Sequence, residues 1–252
     1  MRLVFIRHGE PDYENDCLTE NGIVQAKATA ERLLKENISG IYSSPMGRAK
    51  QTASFTAEKY GLDVKILDFM HEIDWGDVSL AAGTDCDASG DVSSADENSK
   101  LEYDGHPWTL AFKLLTEHPE YISNPDWKNH HYFKDNVCMQ YYQKISEGVD
   151  KFLLNFGLER KNDLYYCAEE YEKNAEKTIA LFAHGGSGSI LISHVLNLPF
   201  PFVLTSMPYG VCSVSVIELS KGMNNFAIPR LELFNDMNHI ESFKLEKLKF
   251  EK

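Results

Sequence analysis

Two histidines in this chain each follow a short apolar run and open into glycine. His8 lies in Arg7-His8-Gly9-Glu10, directly after Leu3-Val4-Phe5-Ile6, and His184 lies in Ala183-His184-Gly185-Gly186-Ser187-Gly188, after the run from Thr178 to Ala183. Runs of that length predict buried parallel strands, and in an open α/β sheet ligands sit in the crevice beyond the strand C-termini. The small residues after His184 let the N–H groups of a starting helix come close to an anion. A third segment, Ser43-Ser44-Pro45-Met46-Gly47-Arg48, puts Arg48 in the first turn of another helix that follows a strand. A cation there opposes the helix dipole, so a compensating anionic ligand is expected beside it. Singly, each residue fits a blander role as a hydrogen-bonded structural histidine or a surface charge. Together on one sheet edge, two arginines, two histidines and glycine-rich turns have the composition of a pocket for a dianionic phosphoryl group.

Holding these groups together requires strands alternating with helices. Ile41 to Ser43, Val64 to Leu67 and Val214 to Leu219 join the two runs above as strands. Thr19 is the expected N-cap of a helix reaching to about Asn37, with Ile23, Ala26, Ala30, Leu33 and Leu34 at helical spacing. Ser44-Pro45 predicts the start of a second helix, with Ser as cap and Pro at the first helical position, and Gly61 predicts its stop. Ser187 to Leu196 reads as a third. The implied fold class is α/β, a three-layer αβα sandwich around a mostly parallel sheet. Between Leu80 and Lys100 the composition shifts to Ala, Gly, Ser and Asp, which predicts a mobile loop. Residues 77–157 read as a helical and loop-forming lid insertion within a single domain spanning residues 1–252. Its aromatics, Trp108, Trp127, Tyr132, Phe133, Tyr141 and Tyr142 among them, are expected to form a satellite core.

The ordered segments are Arg7-His8-Gly9-Glu10; Leu18-Thr19 with Gly22 and Gln25-Ala26; Tyr42-Ser43-Ser44-Pro45 with Arg48-Ala49 and Gln51-Thr52-Ala53; Glu72 with Trp75-Gly76; and His184-Gly185. In that order they resemble the histidine phosphatase superfamily, also called the phosphoglycerate mutase-like family. Asn235-Asp236 with His239 resembles its closing segment, and the resemblance covers about residues 1–80 and 178–240. It implies that His8 is the nucleophile and becomes a phosphohistidine, that Arg7, Arg48, His184 and Gly185 bind the phosphoryl oxygens, and that Glu72 is the proton donor. Asp74 and Glu10 are rivals for that last role. It also implies no cofactor and no metal, because two guanidiniums and an imidazolium would supply the charge. The chemistry is sound from below: neutral imidazole is a good nucleophile near pH 7, and two displacements split one high barrier into lower ones. Glu72 precedes apolar Ile73 and Trp75, surroundings that would let it hold a proton.

Two positions depart from the family pattern. Six residues after the nucleophile, where the family often has an Asn that contacts phosphate, stands Glu14, with Asn15 next to it. Asp77-Val78-Ser79-Leu80 replaces the Trp-Glu-Gly that continues many phosphatase members. The Arg and Tyr that follow the acid Glu in metabolic mutases are absent, which points to hydrolysis of a small phosphate ester over isomerisation by a phosphoglycerate mutase.

Composition narrows the alternatives. Across 252 residues, Lys+Arg 25 against Asp+Glu 38 gives a net charge of −13. Without a cation excess to displace counterions, broad nucleic-acid or anionic-membrane binding is excluded as a role. The five cysteines are odd in number, scattered and never spaced C-x-x-C, so neither a disulfide framework nor a thiolate cage is signalled. The apolar stretches fall short of the ~20 residues that span a bilayer, and Met1 leads straight into the first strand, so a cytoplasmic location is expected. His130-His131 is a poor metal pair because neighbours on a helix diverge. With His106 and His118, they read as surface or lid residues. Met207-Pro208-Tyr209 and Phe243 to Lys252 read as contact surfaces. A silent phospholigand-binding module would need Arg7 and Arg48 but neither His8 nor Glu72.

Overall fold

Leu3, Val4, Phe5 and Ile6 are apolar without alternation because their strand is covered on both faces, and all four are buried to 1% exposure or less. Each such side chain contributes ~1.5–3 kcal/mol by leaving water. The computed structural model describes residues 1–75 and 106–240. The expectations for Gly76, Asp77 to Leu80, the stretch on to Lys100 and the end from Phe243 fall outside them.

In chain order the elements are β1 (Arg2–Arg7), β2 (Pro11–Asp12), β3 (Cys17–Leu18), α1 (Glu20–Leu33), β4 (Gly40–Ser43), α2 (Gly47–Tyr60) and β5 (Val64–Ile66). There follow α3 (Pro107–Glu117), α4 (Cys138–Leu154), β6 (Leu158–Lys161), β7 (Leu164–Cys167), β8 (Thr178–Ala183), α5 (Gly185–Leu196), α6 (Phe200–Ser206), β9 (Val214–Glu218), β10 (Phe226–Ala227) and β11 (Arg230–Asp236). The central sheet has the order β11-β9-β1-β8-β4-β5. β1, β8, β4 and β5 run parallel, while β9 and β11 are antiparallel to their neighbours. The expected mostly parallel sheet with helices on both sides is therefore present.

The direction of β9 has a local cause. The Cys212 N–H donates to the carbonyls of Arg7 and His8 at the C-terminal end of β1, so β9 starts at that edge and has to run back along β1. β6 and β7 form a hairpin through Asn162, at φ 56°, and add β10 to make a separate three-stranded sheet.

The chain divides into two compact units. The first comprises Met1–Glu72, Glu147–Gly188 and Tyr209–Lys252 and holds the central sheet. The second comprises Ile73–Ser146 and Ser189–Pro208. Its described core is aromatic: Trp127, Phe133, Tyr142 and Phe200 are buried, and the Trp127 ring lies 5.2–5.8 Å from the other three. That is the satellite core expected of these rings. His106 is not a surface residue there, because it caps α3 by accepting from the Trp108 N–H and stacks on Trp75 at 5.0 Å. No helix among the described residues is long and apolar enough to cross a membrane.

Candidate active site

Strand register decides which side chains meet. Arg7 pairs with Ala183 and Ser43 with Phe182. The ladder runs one residue further, with the His8 N–H bonding the Ala183 carbonyl and the Ser44 N–H bonding the Phe182 carbonyl, both at 2.9 Å. His8, His184 and Ser44 thus leave three adjacent strands at one edge. The two imidazoles lie 5.0 Å apart, centroid to centroid, at 61°.

His8 is 1% exposed. Its Nδ1 is 2.7 Å from the Gly9 carbonyl, which can only accept, so Nδ1 carries the proton and Nε2 keeps its lone pair. Nε2 in turn faces Arg48 Nε at 3.4 Å. The loop carrying His8 is tied down by side chains of the ordered segments: Thr52 Oγ1 accepts from the Gly9 N–H, Gln25 Oε1 from the Glu10 N–H and Gln51 Oε1 from the Leu18 N–H. Gly22 is required because a Cβ there would run into the Glu10 carbonyl. The Glu10 carboxylate accepts from Thr19 Oγ1 at 2.8 Å and Asn21 Nδ2 at 2.7 Å beside the start of α1.

His184 is fully buried, with Nε2 2.7 Å from Ser44 Oγ. Its Nδ1 and the Nε of Arg7 are buried without a hydrogen-bond partner among the described residues. Arg7 is held from its far side, Nη1 donating to the Tyr209 carbonyl at 3.0 Å, and its guanidinium passes alongside Gly185. The Tyr209 hydroxyl donates to the carbonyls of His184 and Gly185. Tyr209, 6% exposed, is therefore part of the site and not a contact surface. Its neighbour is fixed by the closing segment, where Asn235 Oδ1 accepts from the Gly210 N–H.

Ser44 does not cap α2. Its hydroxyl faces His184 and accepts from the Met46 N–H, so the helix starts at Gly47 with Met46 in the cap position. Arg48 still falls in the first turn, and Gly61 ends the helix at φ 63° as expected. The anion beside Arg48 is a side chain of this chain: Asp16 Oδ1 lies 2.6 Å from Nη1 and Oδ2 2.6 Å from the Gly47 nitrogen. Glu72 likewise sits on the N-terminus of α5. Its Oε1 accepts from the Gly186 and Ser187 N–H groups, both at 3.0 Å. Backbone donors at a helix start are thus direct contacts of this carboxylate. Glu14 is exposed, and Asn15 is turned onto Asp12. Sequence reasoning missed Asp16, Ser44 and Tyr209 as parts of the site.

Burial, reinforced by the nearby cations, pushes His8 down to about 3 and His184 down to about 2 from an ordinary 6.5. The unfolded chain takes up these protons near pH 6.5 and the folded chain only near 2–3. Between those limits the unfolded state binds more protons, so this stabilisation is complete above about pH 6.5 and is lost as the pH falls toward 3. We expect the Tm to fall between pH 7 and 5, and His8→Gln to flatten that fall. Equal slopes for both proteins would contradict it.

Among the described residues no group of three His, Cys, Asp or Glu side chains is suited to hold a metal ion, His130 and His131 included.

The chain is similar to known proteins in sequence and in fold. Residues 3–102 match the family model for the histidine phosphatase superfamily (branch 1). The chain is 35% identical over 85 residues to phosphoserine phosphatase 1 of Hydrogenobacter thermophilus, covering 30% of this chain and 40% of that protein. It is 36% identical over 83 residues to the 2,3-bisphosphoglycerate-dependent phosphoglycerate mutase of Thermoplasma acidophilum, covering 29% and 42%. The matches thus span about 40% of the length of these relatives. In fold the chain is similar to the Entamoeba histolytica phosphoserine phosphatase in complex with 3-phosphoglyceric acid, with a TM-score of 0.58, 22% identity and coverage of 94% and 98%. A mycobacterial glucosyl-3-phosphoglycerate phosphatase gives 0.55 at 20% identity, covering 93% and 98%.

Proposed function

We propose that this chain, whose residues 3–102 match the histidine phosphatase superfamily model, is a metal-independent phosphomonoester hydrolase of that superfamily acting through a phosphohistidine at His8. The observation that carries the reading is the state of His8: neutral, its Nδ1 proton committed to the Gly9 carbonyl, its Nε2 unprotonated and accepting a long 3.4 Å bond from Arg48 Nε beside a second imidazole. Nε2 gives its lone pair to phosphorus as the bond to the ester oxygen breaks, and Glu72 supplies the proton that the leaving oxygen takes up. Glu72 then accepts a proton from water as that water attacks phosphorus, the P–N bond breaks, and inorganic phosphate leaves. Arg7, Arg48 and His184 face the phosphoryl oxygens, where positioning and charge supply most of the catalysis in a loose, in-line transition state. The orphaned Arg7 Nε and His184 Nδ1 support that assignment, because an oxyanion satisfies both. In the same proposal the ester is a small phosphorylated metabolite.

The test is product analysis with phosphoserine and 3-phosphoglycerate, with and without EDTA. Release of inorganic phosphate at an unchanged rate in EDTA is expected. Isomerised phosphoglycerate without phosphate release would favour the mutase reading, and phosphate affinity without turnover would favour a binding module. Abolition by EDTA would contradict the mechanism.

A further inference from the structure

The turn between β2 and β3 grips Arg48 on two sides. Asp12 organises the turn, accepting from the Glu14 and Asn15 N–H groups and from Asn15 Nδ2. The Tyr13 ring then lies 5.4 Å from the guanidinium carbon. Asp16, at φ 46°, turns its carboxylate onto Arg48 Nη1 and the Gly47 N–H. The approach is close enough that a Cβ at position 47 would strike the Asp16 carbonyl, so Gly47 is required. With its Nη1 held by Asp16, the guanidinium presents Nε to His8 Nε2. Arg48 is 5% exposed and Asp16 42%. The more exposed carboxylate thus holds Nη1 of the buried cation, while Nε donates to the imidazole. Partial burial disfavours the Asp16 charge, but the Gly47 N–H and the Arg48 guanidinium outweigh it and hold the carboxyl below the usual range.

We propose that Asp16 is a positioning residue: it fixes the Arg48 guanidinium in the orientation that meets the phosphoryl group during transfer from substrate to His8. This rests on the reading of His8 as nucleophile. An arginine so fixed needs no reorganisation when charge shifts in the transition state, whereas a loose one must be ordered at that moment. The loss of Asp16 therefore weakens transition-state binding more than ground-state binding. It also distinguishes positioning from competition, because a carboxylate that merely competed with phosphate for Arg48 would, once removed, leave phosphate bound more tightly.

The experiment compares wild type with Asp16→Asn, which keeps an acceptor for the Gly47 N–H, and with Asp16→Ala, which keeps none. For Asp16→Asn, kcat on a chromogenic phosphate ester is expected to fall ~10–100-fold with KM within about threefold. Vanadate affinity should fall by the same factor as kcat, and affinity for inorganic phosphate should stay within about threefold. The Arg48 Nε–H signal in NMR, discrete in wild type, should broaden in both variants. Unchanged kcat and vanadate affinity, equal losses for vanadate and phosphate, or tighter phosphate binding would each overturn the proposal. Because the NMR signal needs no turnover, a wild type that neither hydrolyses esters nor binds vanadate removes the functional reading, while a signal that stays sharp in both variants removes only the role of Asp16.

Discussion

His8→Ala is expected to lower turnover of phosphate monoesters by ~10⁴-fold or more, because no other group supplies the attacking lone pair. The size of the loss follows from the geometry. Arg7, Arg48 and His184 still line the strand edge in the variant, so substrate binding persists while covalent transfer stops. KM or a competitive Ki for phosphate is expected to change by less than about tenfold, which separates loss of the nucleophile from loss of the pocket. His8→Ala with a rate near that of wild type would show that water attacks phosphorus directly and that the imidazole is structural.

The second large effect is expected at Glu72, and it should depend on the ester. Glu72→Gln keeps an acceptor for the Gly186 and Ser187 N–H groups that hold this side chain but can no longer deliver a proton. For an alkyl ester such as phosphoserine, whose leaving oxygen requires protonation, the rate should drop ~10²–10⁴-fold. For p-nitrophenyl phosphate, whose leaving group departs as a stable anion, the drop in the first step should stay within ~10-fold. A burst of nitrophenolate ahead of slow steady-state release is the kinetic signature, because water attack on the phosphoenzyme still lacks its base. Equal losses on both esters would assign the acid role elsewhere, with Asp74 and Glu10 as the rival carboxyls from the sequence reading.

How far the sequence alone carries this site can be judged residue by residue. His8 and His184 are legible because unbroken apolar runs announce buried strands, and buried parallel strands end where ligands bind. Arg48 is legible because its place in the first turn of α2 survives the shift of the helix start from Ser44 to Gly47. Asp16 is not. It is one carboxylate among Asp12, Glu14 and Asp16 in a polar turn, and only the left-handed backbone at that position aims it at the guanidinium. Ser44 misleads for a related reason: its hydroxyl suits a helix cap, but a buried imidazole on the adjacent strand competes for it. Tyr209 follows a proline in a loop, where no periodicity marks a residue as buried. In the fold, β11 escapes notice because it is an edge strand interrupted by register shifts, with Arg230, Leu231 and Glu232 exposed. The β6–β7 hairpin also goes unread, although Asn162-Asp163 is a turn dipeptide that suits the left-handed residue found there. Helix α6 has only seven residues, too few for a periodic pattern to emerge.

The most direct measurement is to trap the phosphoenzyme. Phosphohistidine survives in base, so a turnover mixture quenched in alkali, digested and mapped by mass spectrometry should carry the phosphoryl group on the peptide containing His8. Phosphorus NMR of the same sample should assign it to Nε2, the nitrogen that the Gly9 carbonyl leaves free. A phosphoryl group on His184, on a carboxylate or on a hydroxyl, or sustained turnover with no phosphoenzyme at any time point, would contradict the account.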